Sequence, residues 1–211
     1  MARPRGTRSQ NYVERRDELL AKVGAALAGL YPVRPSLRDL AEAAGVSQPT
    51  LRHYFGNRDG VIAAHLERFG GQGAPYLARL REPEGALPES LAAAARNIVI
   101  GLTLPGLATE QAAALGEGLA GAGPGYIAHV LEPLVEAVRA RLAAHIDAGD
   151  MRPADTRAVA LQLVSPLFVA ALHQLHLGGA KSHPLDMEAL ARHVSATLAR
   201  AHGAETETPG Q

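Results

Sequence analysis

The sequence predicts an all-α chain of about nine helices: an N-terminal three-helix domain containing a helix-turn-helix, followed by a larger helical domain. Three observations carry this prediction. Apolar residues recur at three- and four-residue spacing, and no segment alternates convincingly as a strand would. Prolines at 88, 105, 124, 153 and 184 fall where helices start or connect. The stretch from Ser36 to Arg58, SLRDLAEAAGVSQPTLRHYFGNR, reads as two short helices around a glycine turn, with a third opening directly after.

Residues 1–8, MARPRGTR, read as a disordered basic arm. Such an arm can lie in a minor groove or against phosphates, and it reads equally well as an inert tail. Helix one is predicted from about Ser9 to Leu30, with Leu19, Leu20, Val23, Leu27 and Leu30 inward. Ser36 caps helix two, with Asp39 completing a capping box, and Leu37, Leu40, Ala41 and Ala44 make one apolar stripe. Gly45 ends that helix, because glycine enters a left-handed turn without steric cost. Ser47 caps helix three, where Pro49 gives up only an amide that has no helical partner. Helix four is predicted from Asn57, carrying Val61, Ile62, His65, Leu66 and Phe69 until Gly70-Gly71-Gln72-Gly73 interrupts it as a boundary or hinge. Further helices are expected at about 74–82, 88–104, 109–121, 125–148, 156–177 and 185–202, and the polar stretch 203–211 is expected to be disordered.

Helix three matters most for what it leaves outside. At about 100° per residue, Leu51 and Phe55 turn inward together, while Pro49, Arg52 and His53 lie opposite, flanked by Gln48 and Thr50. A recognition helix brings its N-terminal residues to base edges in the major groove. Gln can bond adenine through two contacts, Arg can do so with guanine, and Thr or Pro can touch a thymine methyl. Four base-competent side chains in six residues after a glycine turn point to double-stranded DNA. The expected DNA-binding set is Ser36, Ser47, Gln48, Pro49, Thr50, Arg52, His53, Tyr54 and Arg58, with Ser36, Tyr54 and Arg58 on phosphates.

The block from about Arg15 to Phe69 resembles the N-terminal DNA-binding domain of the TetR family of transcriptional regulators. Ala44-Gly45-Val46-Ser47, Thr50-Leu51, Tyr54-Phe55 and Asn57-Arg58-Asp59 follow that family's pattern. Arg52 stands where a tyrosine is commonest, and Gly60 where a larger residue is usual. The resemblance covers about a quarter of the chain. It implies a homodimeric regulator, most simply a repressor that binds an inverted-repeat operator and is released by a small molecule. The implied organisation is an arm at 1–8, the helix-turn-helix domain at 9–56, a connecting helix with an effector-binding and dimerisation domain at 57–202, and a tail at 203–211.

Charge distribution agrees. The formal net charge is zero, but residues 1–70 hold eleven Lys/Arg against seven Asp/Glu, leaving +4 there and −4 on the remainder. A basic head on an acidic body is the footprint of a DNA-binding domain fused to something else. There are no cysteines, which excludes disulfides, thiolate metal sites and cysteine catalysis. No window is expected to reach the apolar run needed to span a bilayer, and the N-terminus lacks the order of a signal peptide, so no membrane partner and a cytoplasmic location are expected. No cofactor is implied, since no Gly-rich phosphate loop, nucleophile elbow or paired-carboxylate constellation appears, and an enzyme is not expected.

Between Ala158 and Leu172 only Gln162 and Ser165 are overtly polar, so that helix needs cover on every side. With the final helix it resembles the pair that closes a four-helix bundle in TetR-like dimers, which nominates Leu172, Leu190, Val194 and Leu198 for dimerisation; a central core helix in a monomer is the alternative. Low aromatic content (4%) and the absence of Trp favour an aliphatic or mixed lipophilic effector over a large planar one. Arg96, Tyr126, His129, Phe168 and His173 are the groups best suited to orient it. Two rivals remain: a DNA-binding regulator without a small-molecule effector, and a helical metalloenzyme built on His173 and His176, with His183 and His193 nearby in sequence. No third ligand stands at a recognisable metal spacing.

Overall fold

The computed structural model describes residues 5–30, 35–103 and 123–204. Residues 1–4 of the expected arm, the expected helix at 109–121 and residues 205–211 of the tail lie outside these, as does the side chain of Leu30. The described residues are helical throughout apart from turns and one isolated antiparallel bridge, so the all-α expectation holds. They form two compact units. The first comprises the chain to Gln72 with a segment ending at Val130; the second runs from Gly73 and resumes at Leu131.

The first unit contains α1 (Arg5–Leu30), α2 (Leu37–Ala43), α3 (Gln48–Phe55) and α4 (Arg58–Gln72). Helix α1 begins at Arg5, so Arg5 and Arg8 are helical rather than part of an unstructured arm. Extending an existing helix by one turn costs little once it has nucleated. Leu19, Leu20, Val23 and Leu27 turn inward as expected, meeting Leu40, Ala41, Ala44, Leu51, Val61, Ile62 and Leu66 in a buried core. Asp17 on α1 pairs with Arg68 on α4 at 2.7 Å, fixing the two helices at their exposed edge.

Helix α4 does not stop at the glycines: it passes through Gly70 and Gly71 to Gln72. Gly70 lies against the backbone carbonyl of His129, and a side chain there would overlap that oxygen. Close backbone packing, rather than a helix break, is what this glycine serves. The segment it meets is α7 (Gly123–Tyr126), which continues through a π-type turn over Ile127–Leu131. The first unit includes α4 and ends at Gln72.

The second unit holds α5 (Ala74–Arg81), α6 (Leu87–Thr103), α8 (Glu132–Asp147), α9 (Thr156–Leu175), the single turn α10 (Gly179–Ser182) and α11 (Met187–His202). Helix α6 packs on α9 and α11, and α8 packs on α5 and α9. Leu91, Ala94, Ala95, Ile98, Leu102, Val135, Val138, Leu142, Leu163, Val164 and Leu167 form its core. Tyr76 donates its hydroxyl to the Asn97 carbonyl at 2.9 Å, and burial pushes its phenol up to about 12. Asp155 caps α9 through bonds from the amides of Arg157 and Ala158.

A fully buried arginine organises this unit. Arg141 on α8 is 0% exposed. Its Nε donates to the Leu80 carbonyl at 2.8 Å, and Nη2 donates to the Arg79 carbonyl at 3.2 Å. Nη1 reaches the Ser90 hydroxyl at 2.7 Å and the Ser90 carbonyl at 3.2 Å. The Leu80 and Arg79 carbonyls end α5, where helical donors run out, so Arg141 caps α5 and, through Ser90, ties it to the start of α6. Burial lowers the guanidinium's pKa from its ordinary value, partly offset by Glu84 and Glu82.

Two expectations are corrected here. Gly203 bridges to Met151, and the Ala204 amide donates to the Asp150 carbonyl at 2.9 Å, so pairing to the α8 turn holds the chain in place one residue beyond the predicted start of the disordered tail. Helix α9 is long and apolar enough to cross a membrane by length and composition, with a mean hydropathy of 1.6, where no such stretch was expected. Its inner residues Val159, Ala160, Leu163, Val164, Leu167 and Ala171 are core, which is why a helix of this composition arises in a packed helical unit.

Candidate nucleic-acid interface

The first unit presents a helix-turn-helix built as the sequence implied. Ser36 accepts from the Asp39 amide at 3.2 Å, and Asp39 accepts from the Ser36 amide at 2.8 Å, a reciprocal capping box. The Ser36 backbone bond, then its hydroxyl, holds the Asp39 carboxyl below the ordinary carboxylate value. Helix α2 ends as Gly45 takes φ +69°, and the Val46 amide closes onto the Ala41 carbonyl at 3.0 Å. Ser47 then caps α3 by accepting from the Thr50 amide at 3.3 Å. The Ser47 and Thr50 hydroxyls also meet at 2.9 Å, which commits both to the cap and leaves the Thr50 methyl as its outer chemistry.

On α3, Leu51 is fully buried and anchors the helix to the core. Pro49, Arg52 and His53 are exposed, and Gln48 and Thr50 are half-buried beside them. Pro49 and Arg52 thus share an accessible face flanked by Gln48 and Thr50 over the first turn and a half, the part of such a helix that enters a groove. Ser36 and Ser47 are exposed at the two helix starts, where free backbone amides suit phosphate oxygens. Phe55 is half-buried, with the Arg16 guanidinium 5.3 Å above its ring.

Arg58 sits differently from the expected phosphate contact. Its side chain is 17% exposed and pairs with Asp59 at 3.5 Å, and its Nε donates to the Pro35 carbonyl. It is a strut between the start of α4 and the entry to α2. The unusual Gly60 also has a local cause: a Cβ there would overlap the Phe55 carbonyl, and the Gly60 amide caps onto Asn57 Oδ1 at 2.8 Å. Tyr12 was not singled out from sequence, yet it stacks on Tyr54 at 4.8 Å. Only its one-turn offset from Arg16 hinted at a shared face.

The other nominated residues are divided between the two units. Tyr126 is buried and His129 half-buried, both in the first unit. In the second unit Arg96 lines a groove of about 140 Å³ with Ala92, Val99, Glu188, Ala191 and Arg192. That is below the roughly 300–1,000 Å³ of small-molecule pockets. Phe168 packs against the core, and His173 lies 2.7 Å from the Gln174 amide, which also donates to the His183 carbonyl. His173 therefore serves the turn after α9, and among the described residues no group of three His, Cys, Asp or Glu could hold a metal ion. Of the residues nominated for dimerisation, Leu198 is 6% exposed and belongs to the unit's own core, while Leu172, Leu190 and Val194 are half-buried. The exposed apolar side chains of α9 are Leu161, Val169 and Leu175.

Residues 32–65 match the profile of the family described as bacterial regulatory proteins, tetR family. No curated protein matches the chain. Among solved structures, a protein assigned to the TetR family in Mesorhizobium loti MAFF303099 superposes with a TM-score of 0.74 at 15% identity, covering 92% of this chain and 98% of its own. The transcriptional regulator FadR from Bacillus subtilis, solved with stearoyl-CoA, gives 0.66 at 16% identity, covering 86% and 96%. A TetR transcriptional regulator from Agrobacterium tumefaciens gives 0.63 at 20% identity, covering 90% and 95%. In residues 32–65 the chain carries the N-terminal domain of the tetR family of bacterial regulatory proteins, and it has the fold of TetR-family transcriptional regulators.

Proposed function

We propose that this protein is a dimeric transcriptional repressor that binds an inverted-repeat operator through α3 and is released from it by a small lipophilic effector. The observation that carries the proposal is the accessible N-terminal half of α3, bearing Gln48, Pro49, Thr50 and Arg52 on a helix capped by Ser47, within the more basic part of the chain. A two-fold reader needs two copies, and the exposed α9 stripe of Leu161, Val169 and Leu175 supports self-association there. Leu172, Leu190 and Val194, each half-buried, are secondary contributors. The base-reading set is Gln48, Pro49, Thr50 and Arg52; His53 and Tyr54 stand at the edge of the same face, and the exposed Ser36 and Ser47 mark the two helix starts nearest phosphates, the Ser36 amide itself being held by Asp39.

The effector reading is supported by the aliphatic core of the second unit and by FadR, which has the same fold and was solved with stearoyl-CoA. Release requires the effector to favour a conformer whose α3 helices no longer match groove spacing, and its leverage is limited to its differential affinity for the two states.

Selection from a random duplex pool tests the proposal. The enriched duplexes should contain an inverted repeat whose half-site centres lie roughly 34–36 Å apart or a multiple of that. Adding stearoyl-CoA as the first probe should weaken that complex if an acyl chain is the effector. A pool with no enriched sequence would remove the operator reading.

A further inference from the structure

Three aromatic rings close around the C-terminal end of α3, and one of them comes from α1. Tyr12 stacks on Tyr54 with centroids 4.8 Å apart and planes inclined by 24°. His53 meets both edge-on, 5.2 Å from Tyr54 and 6.1 Å from Tyr12. The chain has only five Tyr and three Phe, so this gathering does not follow from an aromatic-rich composition. Nor is it core: Tyr12 is 39% exposed and His53 is exposed.

Helix α3 needs a second hold. It has eight residues, too few to be stable alone, and among them only Leu51 is fully buried. The Ser47 cap fixes its start. Its far end is gripped from α1, where Tyr12 and Arg16, one turn apart, take Tyr54 and Phe55 respectively. Helix α1 is in turn pinned to α4 by Asp17 and Arg68. A tyrosine that must be ordered on binding loses affinity to conformational entropy, whereas one already held does not.

We infer that Tyr12 is a positioning residue for operator binding: its ring holds the Tyr54 phenol, with His53 beside it, at the DNA-facing edge of α3 before a phosphate arrives. This rests on the operator reading above. The ring acts, and the Tyr12 hydroxyl does not.

The test uses the duplex that the wild-type protein selects. Tyr12→Ala should weaken affinity for it by about tenfold, the upper range for a coupled aromatic pair, while Tyr12→Phe should return it to within about twofold of wild type. In a Tyr54→Ala background, Tyr12→Ala should add less than about twofold, because its effect runs through Tyr54. In the free protein, the His53 ring-proton shifts should move in Tyr12→Ala and stay in place in Tyr12→Phe. Tyr12→Leu, which keeps bulk without an aromatic ring, should bind as weakly as Tyr12→Ala and guards against a folding defect in the smaller variant. Unchanged binding by Tyr12→Ala, equal weakness of Tyr12→Phe, or independent losses in the double variant would each overturn the inference. A wild-type protein that selects no duplex removes the operator reading and this inference with it. Selection by wild type with undiminished binding by Tyr12→Ala removes only the inference.

Discussion

Replacing Arg141 with leucine is expected to destabilise the second unit by about 3–5 kcal/mol, a large fraction of the roughly 5–15 kcal/mol that holds a domain together. The guanidinium supplies the Leu80 carbonyl, the Arg79 carbonyl and both oxygens of Ser90. A leucine fills much of the space but donates nothing, so the Leu80 carbonyl loses its guanidinium donor, while the Arg79 carbonyl keeps the Glu82 amide and the Ser90 hydroxyl keeps the Glu84 amide. A buried acceptor left without a donor costs about 1–3 kcal/mol. Removing a buried charge returns part of this, because desolvation already disfavours the charged form of Arg141, so the net loss is below the sum of the bonds. Arg141→Lys should fall between, since an ammonium cannot serve carbonyls on two helices through a planar fork. Urea unfolding followed by helical circular dichroism measures it. A loss under about 1 kcal/mol for Arg141→Leu would mean that water or a rearranged turn satisfies those carbonyls.

Val169→Glu is expected to abolish the proposed dimer and, with it, operator binding. Val169 is 61% exposed in the single chain, so a carboxylate there stays hydrated and should change the chain's own stability by less than about 0.5 kcal/mol. In a two-fold interface along α9 the same substitution buries two like charges, which is heavily penalised. Val194 and Leu198 make poorer probes: Val194 packs against the unit's own core and Leu198 is part of it, so a charge at either confounds dissociation with unfolding. Sedimentation should find a folded monomer. A folded dimer at micromolar concentration would place the interface elsewhere.

The helix-turn-helix was legible because each of its signals is local. A capping box, a serine cap, a glycine at positive φ and the inward Leu51 are set by residues within four positions of one another. The same holds for Leu19, Leu20, Val23 and Leu27. What escaped the sequence depends on distant partners. Arg141 lies among Val138, Leu142 and His145 on an apolar face, a pattern that flags a buried arginine, but the Leu80 and Ser90 carbonyls that receive it are about 50 to 60 positions away. Arg58 was read as a phosphate contact because it is basic and opens α4; that its Nε also donates to the Pro35 carbonyl, 23 positions back, could not be read locally. Gly70 looked like a helix break because the His129 backbone that it packs against could not be foreseen. Leu198 was nominated for the dimer by the apolar stripe of the final helix together with the TetR resemblance, and a stripe shows an apolar face but not which neighbour covers it.

That α3 reads bases is tested most directly by repeating the duplex selection with Gln48→Ala and with Arg52→Ala. Each variant should lose about 1–3 kcal/mol on the wild-type operator and relax preference at one position in each half-site, leaving the remaining positions as before. Equal loss on operator and unrelated duplexes, with the selected sequence unchanged, would contradict base reading by α3 and reduce it to a phosphate-binding helix.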